Sequence, residues 1–461
     1  MHIHILGICG TFMGGIAVIA RELGFKVTGC DQNVYPPMSV QLEAQGIELI
    51  SGYSPEQLAL EPDLYVIGNV VTRGNPLMEE ILNRNLPYIS GPQWLLENVL
   101  RKYWVLAVAG THGKTTTSSM LAWILDYAGL NPGFLIGGIP ENFGVSARTG
   151  RLPGDNGNTT ETSPFFVIEA DEYDTAFFDK RSKFLHYHPK TLILNNLEFD
   201  HADIFPDLAA IERQFHHLIR IVPNAGLIIS NGNDSNLKRV FEQGYWTPIE
   251  EFGVETGWHS EMQSDYGTKI FFKNTYQDTL YWDLLGEHNN MNALAALLAA
   301  RHAGIPIQIG IEALMRFKNV KRRMEKRGTV NGVTLYDDFA HHPTAIRTTI
   351  DGLRKHIGKE KGIIAVLEPR SNSMKMGVWK NELAESLNEA NHIFCFTREA
   401  SWAKEIMHNS EKKAYCHDDL NELVQAICML AKPDDHILVM SNGGFGGIHE
   451  KILSDLQSKP V

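Results

Sequence analysis

The residues best suited to chemistry form an unbroken run, Gly110-Thr111-His112-Gly113-Lys114-Thr115-Thr116-Thr117. It lies between a strand-like apolar segment, Trp104 to Ala109, and an apolar helix pattern. A glycine-bearing turn in this setting points backbone N–H groups at phosphate oxygens, and the helix that follows adds partial positive charge. Lys114 can reach the outer phosphates of a nucleoside triphosphate, and the Thr115 hydroxyl can ligate magnesium. The spacing departs from the common phosphate loop, whose four intervening residues would place the first glycine at Val108. Here the glycines are Gly110 and Gly113, so the loop is shorter. The bland alternative is a strand–turn–helix junction with an incidental Gly-Lys-Thr, which the flanking strand and helix disfavour.

Two carboxylate-bearing strand ends follow. The apolar run Phe165 to Ile168 ends in Glu169-Ala170-Asp171-Glu172. Beside a phosphate loop, such a strand end is where a nucleotide-bound metal finds a protein oxygen, and Glu169 comes first after the run. Acidic residues at strand ends are equally often solvated loop residues, so the segment gains weight only from Lys114. After Thr191-Leu-Ile-Leu-Asn-Asn comes Glu198-Phe199-Asp200-His201-Ala202-Asp203. Magnesium prefers oxygen ligands, so chemistry alone leaves His201 open between a metal contact and a ring oriented by carboxylates.

At the N-terminus, Gly7-Ile-Cys-Gly-Thr-Phe-Met-Gly-Gly follows a strand, and Asp31 ends the next one. The dinucleotide fingerprint fails, because Cys9 and Phe12 stand where glycines are required. A diphosphate can still sit at the helix N-terminus near Gly14, which suggests a nucleotide sugar. Near the other end, Arg370 and Asn372 follow the Ile363–Leu367 strand pattern at the side where α/β domains bind ligands. A guanidinium can grip a carboxylate with two parallel bonds, making Arg370 a candidate for a peptide carboxylate. The alternative is an ordinary surface arginine.

The elements that position these residues alternate between buried apolar runs and helix-period segments, the pattern of parallel α/β sheets. Three domains are expected, residues 1–103, 104–319 and 320–461, each a mainly parallel sheet with flanking helices. The first and third are Rossmann-like and the middle one carries the phosphate loop. Strands are read at 2–8, 26–30, 64–68, 333–336, 362–367, 392–396 and 436–440. Helices are read at 14–23, 343–356, 379–388 and 420–430. The apolar-poor stretch 146–164 reads as an exposed, mobile loop.

With 461 residues, 43% hydrophobic and 21% charged, the chain can bury substantial cores. A net charge of −12 argues against general binding to nucleic acid or anionic membranes. No signal peptide or membrane-inserted span is legible. Five cysteines, none in a C-x-x-C pair, read as reduced residues of a cytoplasmic protein. The oligomeric state stays open between monomer and weak dimer.

These residues together resemble the Mur ligase family. Gly110-Thr-His-Gly-Lys-Thr-Thr, Glu169-Ala-Asp-Glu, Asp200-His201, Glu287-His-Asn-Asn-Met-Asn-Ala, Arg322-Arg-Met and Asp337-Asp-Phe-Ala-His-His-Pro-Thr occur in the family's order along the whole chain. The resemblance implies a first domain for a UDP-sugar, a central ATPase domain and a third domain for the incoming amine. It implies ATP contacts at Gly110, Thr111, His112, Gly113, Lys114, Thr115 and Thr116. His288, Asn289 and Asn292 would frame the adenine, with Arg323 at the γ-phosphate and Asp338 at the ribose. Magnesium would be served by Thr115, Glu169 and His201, and the catalytic set would be Lys114, Glu169, His201 and Arg323. UDP-sugar contacts are expected at Gly10, Thr11, Met13, Gly14 and Asp31, and peptide contacts at His342, Arg370 and Asn372.

Within the family, His341-His342 and the glycine-rich N-terminus are similar to the branch that uses UDP-N-acetylmuramate as acyl substrate. The segments around Cys9, Asp31, Glu368-Pro-Arg-Ser-Asn-Ser and Ser441-Asn-Gly-Gly look like the members that attach the murein tripeptide L-alanyl-γ-D-glutamyl-meso-diaminopimelate. The L-alanine-adding members are the runner-up. One departure is that 211–216, where several members carry a carbamylated lysine, holds no lysine, leaving the second magnesium's shell incompletely specified. A P-loop ATPase without ligase chemistry would leave the glycine-rich N-terminus without a role. Because ATP ligands are expected from two domains, closure should assemble the site. Arg323→Ala should therefore lower turnover far more than UDP-sugar affinity in parallel kinetic and binding assays; equal losses would refute the assignment.

Overall fold

In a computed structural model the described residues are 1–34, 38–150, 163–263, 267–398, 402–404 and 413–458. Among them, the first sheet consists of β1 (His2–Leu6), β2 (Lys26–Asp31), β3 (Glu48–Ser51), β4 (Leu64–Ile67) and β5 (Tyr88–Ser90). Their order is β3-β2-β1-β4-β5, with every neighbouring pair parallel. Every residue of β1 is buried, as a parallel strand covered on both faces requires. The helix expected from residue 14 begins earlier, spanning Thr11–Glu22 after an extended Gly10. Its two internal glycines are contact points. A Cβ on Gly14 would meet the Met38 sulfur at 2.7 Å, and one on Gly15 would collide with the Leu135 side chain.

The central strands are β6 (Trp104–Ala109), β7 (Gly133–Leu135), β8 (Ala147–Arg148), β9 (Phe165–Ala170), β12 (Thr191–Leu194), β13 (Leu227–Asn231), β14 (Ile249–Phe252), β15 (Trp258–Met262), β16 (Gly267–Phe272) and β17 (Thr275–Tyr281). They run in the order β17-β16-β15-β14-β13-β12-β6-β9-β7-β8. From β15 to β7 all neighbours are parallel, while β16, β17 and β8 add antiparallel edges. β8 corrects one expectation, since the stretch 146–164 opens with a buried Ala147 paired to β7 rather than with exposed loop. Its residues 151–162 lie outside the described residues.

β10 (Asp174–Ala176) and β11 (Asp179–Ser182) form a separate antiparallel hairpin whose tip docks on the first sheet's core. Phe177 packs against the cluster containing Leu6, Cys30, Tyr65 and Ile67. The Phe178 ring lies 5.0 Å from Tyr88, and His186 just beyond hydrogen-bonds Gln93 at 2.9 Å. The sequence ranges 1–103 and 104–319 accordingly lie largely in one compact unit, Met1–Phe199 with Asp207–Trp282 and Met291–Asn319. The other unit comprises Asp200–Pro206, Asp283–Asn290 and Val320–Val461.

In that second unit, β18 (Glu325–Val330), β19 (Val333–Asp338), β20 (Ile363–Leu367), β21 (His392–Phe396), β22 (Lys413–His417) and β23 (His436–Met440) are ordered β18-β19-β23-β20-β21-β22. Only β18 runs antiparallel to its neighbour. The two outer strands, β18 and β22, are polar and partly exposed, so they carry no apolar run for a sequence reading to find. None of the five cysteines is in a disulfide. Among the described residues no helix is long and apolar enough to cross a membrane.

A buried polar chain crosses the first sheet. Gln57 donates its amide to the Gly52 carbonyl at 3.0 Å, which turns its oxygen to His4 Nε2 at 3.1 Å. That nitrogen must therefore carry the proton, and His4 Nδ1 accepts from the Thr28 hydroxyl at 2.8 Å. Thr28 in turn accepts from His2 Nε2 at 2.9 Å. These links are all satisfied with His4 neutral, and burial pushes its pKa down to about 4. An unfolded histidine binds its proton near pH 6.5, so the unfolded state takes up more protons in between. Stability should fall as pH drops from about 6.5 through about 4, by on the order of 3 kcal/mol. Urea unfolding across that window should show a shallower loss for His4→Gln than for the wild type.

Candidate active site

Gly110 and Gly113 both have positive φ, 139° and 78°, and both face a bracket formed after β12. A Cβ on Gly110 would meet Asn196 backbone atoms at 3.1 Å, and one on Gly113 would meet Asn292 Oδ1 at 2.5 Å. Asn196 accepts the Thr111 N–H on its carbonyl at 3.2 Å and the His112 N–H on its side chain at 2.8 Å. Thr111 Oγ1 accepts the Glu198 N–H at 2.8 Å, and the His112 ring meets the Glu198 carboxylate at 3.0 Å. Beneath the loop, the fully buried Thr117 hydroxyl accepts from Asn195 at 3.0 Å and donates to Asn292 at 3.1 Å. Asn292, expected at the adenine, thus braces the underside of the phosphate loop. Asn195 and Asn196 were legible only as strand-end residues, because nothing in sequence places them under residues 78 to 84 positions earlier.

The Lys114 ammonium lies 2.9 Å from Glu172 Oε2 and 3.9 Å from Asp171 Oδ1. Burial alone would lower its pKa, but Glu172 and Asp171 together hold it well above the ordinary lysine value. Thr115, at the second position of the helix Lys114–Tyr127, donates its hydroxyl to Glu169 Oε1 at 3.1 Å. The other Glu169 oxygen accepts the Gly137 N–H at 2.7 Å. A side chain on Gly137 would stand 2.9 Å from both Glu169 oxygens, so only glycine admits the carboxylate there. Glu169 pairs in register with Val108, immediately before the loop. Thr116 is buried within the same helix. The sequence selected Glu169 from its acidic cluster and passed over Glu172, which is 2% exposed and directly paired with Lys114.

In the first sheet, Gly10 precedes the helix Thr11–Glu22 without a side-chain cap, so the first-turn N–H groups of Thr11, Phe12 and Met13 end there. Thr11 is exposed, whereas the Met13 side chain is buried, within reach of a Cβ on Gly91 at 2.6 Å. Asp31 Oδ2 accepts the Cys9 N–H at 2.9 Å and so closes the glycine-rich turn.

The second unit gathers the remaining residues. His201 has a left-handed φ of 53°, and its N–H donates to Asp200 Oδ1 at 2.7 Å. Burial opposes ionisation of Asp200, but His201, His341, the His201 N–H and His342 together bring its pKa down to about 2. Ser373 Oγ donates to the same Asp200 oxygen at 3.1 Å, and Asn372 donates to Asp203 at 2.8 Å. Asn372 therefore secures the Asp200-His201 turn. His288 is held neutral, its pKa lowered to about 4 by burial and then by Arg323. Asn289 donates to the Leu285 carbonyl at 2.7 Å. Burial raises the Asp338 pKa, and its carboxylate accepts the N–H groups of Met324 and Ala340, each at 2.8 Å. It thereby fixes the turn bearing Arg323, whose guanidinium lies 4.9 Å over the Phe339 ring. His342 caps the helix Pro343–Ile357 by accepting the Thr344 N–H at 3.3 Å. Arg370 is exposed and lies against Gly443, where any side chain would collide with it. Arg322, absent from the sequence-derived set, holds that loop by donating to the Ser441 and Gly443 carbonyls at 2.7 and 2.6 Å.

A braced phosphate loop between a strand of a parallel sheet and a helix, a largely buried charged lysine and a hydroxyl–carboxylate pair define a P-loop nucleotide enzyme of the α/β class. The chain belongs to the Mur ligase family, matching its catalytic-domain model over residues 2–103, its middle-domain model over 108–300 and its glutamate ligase domain model over 322–443. It is 54% identical to the UDP-N-acetylmuramate–L-alanyl-γ-D-glutamyl-meso-2,6-diaminoheptandioate ligase of Escherichia coli, covering 100% of this chain and 99% of that one. It is 29% identical to a UDP-N-acetylmuramate–L-alanine ligase of Solibacter usitatus, covering 99% and 96%. The crystal structure of a murein peptide ligase from Psychrobacter arcticus is similar over 100% of both chains, with 44% identity and a TM-score of 0.77.

The loop's tolerance can be tested with two alanines at left-handed glycines. Gly129 has φ 80° with nothing near its missing Cβ, while Gly113 has φ 78° with Asn292 and Asn195 against it. Both substitutions carry backbone strain of about 1–2 kcal/mol. Only Gly113→Ala should also lower nucleotide affinity and turnover, by tenfold or more. Equal effects from Gly129→Ala would show that strain alone is responsible.

Proposed function

We propose that this protein is an ATP-dependent ligase that joins L-alanyl-γ-D-glutamyl-meso-diaminopimelate to the lactyl carboxylate of UDP-N-acetylmuramate, releasing ADP and phosphate. The observation that carries this reading is the 54% identity, over the whole chain, to the Escherichia coli ligase named for those substrates. The 29% identity to an L-alanine ligase favours the tripeptide over L-alanine as the amine. UDP-sugars and ATP are cytoplasmic, and the proposed location is the cytoplasm.

In the proposed reaction the lactyl carboxylate attacks the γ-phosphorus of ATP, giving an acyl phosphate and ADP. The tripeptide amine then attacks the acyl carbon, and phosphate leaves as the amide forms. Phosphoryl transfer depends on in-line positioning and neutralised charge. The Lys114 ammonium, held charged by Glu172 and Asp171, supplies that charge beside the loop's backbone N–H groups. Arg323, on the turn fixed by Asp338, is the proposed γ-phosphate partner from the second unit. The Thr115 hydroxyl and Glu169 carboxylate form an oxygen set that suits magnesium, with His201 as proposed third contributor; bound there, the ion would neutralise phosphate charge. Arg370, seated on the Gly443 shelf, is the proposed partner of a peptide carboxylate.

Phosphate release should be measured with ATP, magnesium and UDP-N-acetylmuramate, adding the tripeptide or L-alanine in parallel. Release with the tripeptide, and the mass of the amide product, is the expected result. Release with L-alanine alone would assign the protein to the other amine.

A further inference from the structure

Lys183 belongs to none of the motifs above, yet it occupies the seam between the first-domain helix and the phosphate loop. It immediately follows the hairpin β10–β11, and its side chain is 12% exposed. Its ammonium lies 3.1 Å from Asp171 Oδ2, and the other oxygen of that carboxylate faces Lys114 at 3.9 Å. The same ammonium sits 5.8 Å from the centre of the Phe12 ring and 5.3 Å from that of Tyr173. Phe12 is the second residue of the helix Thr11–Glu22, whose uncapped first turn is the proposed diphosphate site. One cation therefore touches the start of the sugar domain's helix and, through Asp171, the charge cluster around Lys114.

Its position is fixed by more than the ion pair. The Lys183 N–H donates to the Tyr173 carbonyl at 2.9 Å, and the Phe184 N–H to the Asp171 carbonyl at 3.3 Å. The hairpin tip on the other side is anchored in the first domain by Phe177 and Phe178. The ammonium is thus held on a rigid bracket between two ligand regions. A chain that hands a carboxylate from a UDP-sugar to a nucleotide must carry that carboxylate across this seam. An aqueous lysine would pay rotamer entropy to meet it, whereas a pre-placed one does not.

We propose that Lys183 is a specificity residue that receives the lactyl carboxylate of the UDP-sugar and directs it toward the phosphate loop. The proposal rests on the ligase reading above and assigns the carboxylate's partner in the first unit. Asp171 holds the ammonium in place, and the incoming carboxylate takes a second position on it. A UDP-sugar without the lactyl group gains nothing from this cation, so Lys183 discriminates by charge.

The test compares binding of UDP-N-acetylmuramate and UDP-N-acetylglucosamine, which lacks the lactyl carboxylate, to the full chain by calorimetry. Lys183→Met keeps the apolar stem against Phe12 and Tyr173 and removes the charge. It should weaken UDP-N-acetylmuramate binding about 10- to 100-fold, the range of a charge-assisted bond, and change UDP-N-acetylglucosamine binding less than threefold. ADP affinity should stay within threefold, and Lys183→Arg should retain most of the preference for the lactyl sugar. Equal weakening of both sugars would make Lys183 a structural residue and overturn the proposal, as would no change in either. Should Lys183→Met fail to fold, Lys183→Gln gives the same contrast. Wild-type protein that binds the lactyl sugar without turning over either amine would refute the ligase reading, while the binding contrast still decides Lys183.

Discussion

The arrangement of the first unit depends on keeping a buried ammonium charged. Lys114 is largely withdrawn from water at the first position of the helix Lys114–Tyr127, where desolvation favours the neutral amine by several kcal/mol. Glu172 and Asp171 reverse that preference, and both come from the turn after the adjacent strand β9. The ammonium is thus a prepared charge, with carboxylates occupying the side that a phosphate would share. Both carboxylates follow β9 directly, so the pairing of β9 with β6 sets where their turn begins.

The same turn links the phosphate loop's surroundings to the N-terminal sheet. Directly beyond Glu172 the chain enters the hairpin β10–β11, whose tip places Phe177 in the first domain's core. A side chain absent at Gly15 lets the helix Thr11–Glu22 approach Leu135 on β7. The Thr149 N–H adds a bond to Glu22 at 2.7 Å. The glycine-rich N-terminal sheet and the phosphate loop are therefore parts of one packed unit.

Within the second unit, order comes from short polar locks. Asp338 fixes the Arg322–Met324 turn through the Met324 N–H and its own following loop through the Ala340 N–H, and Arg322 fixes the Ser441–Gly443 loop through two carbonyls. Left-handed φ at Arg322 and Met324, 61° and 49°, shows how tightly that turn is drawn. Positioning here falls to residues adjacent to the proposed ligand contacts, and Arg322, noted in the sequence only within the Arg322-Arg-Met run, is one of them.

Sequence by itself determined the elements and the local chemistry. Buried runs such as Ile363–Leu367 and His436–Met440 announce parallel strands because both faces are covered, and the Gly110–Thr117 run announces a phosphate loop because its neighbours are a strand and a helix. The polar edge strands β18 and β22 were silent, since a solvated edge needs no apolar pattern. Tertiary structure alone decided which of several carboxylates meets Lys114, that Asn292 braces the loop from below, and that Asp200–Pro206 packs with the C-terminal residues. It alone brought Lys183 beside Phe12. The reason is physical: periodicity records which face of an element is buried, whereas the partner of a charge or an amide is set by strand order, and strand order brings together residues with no spacing in common.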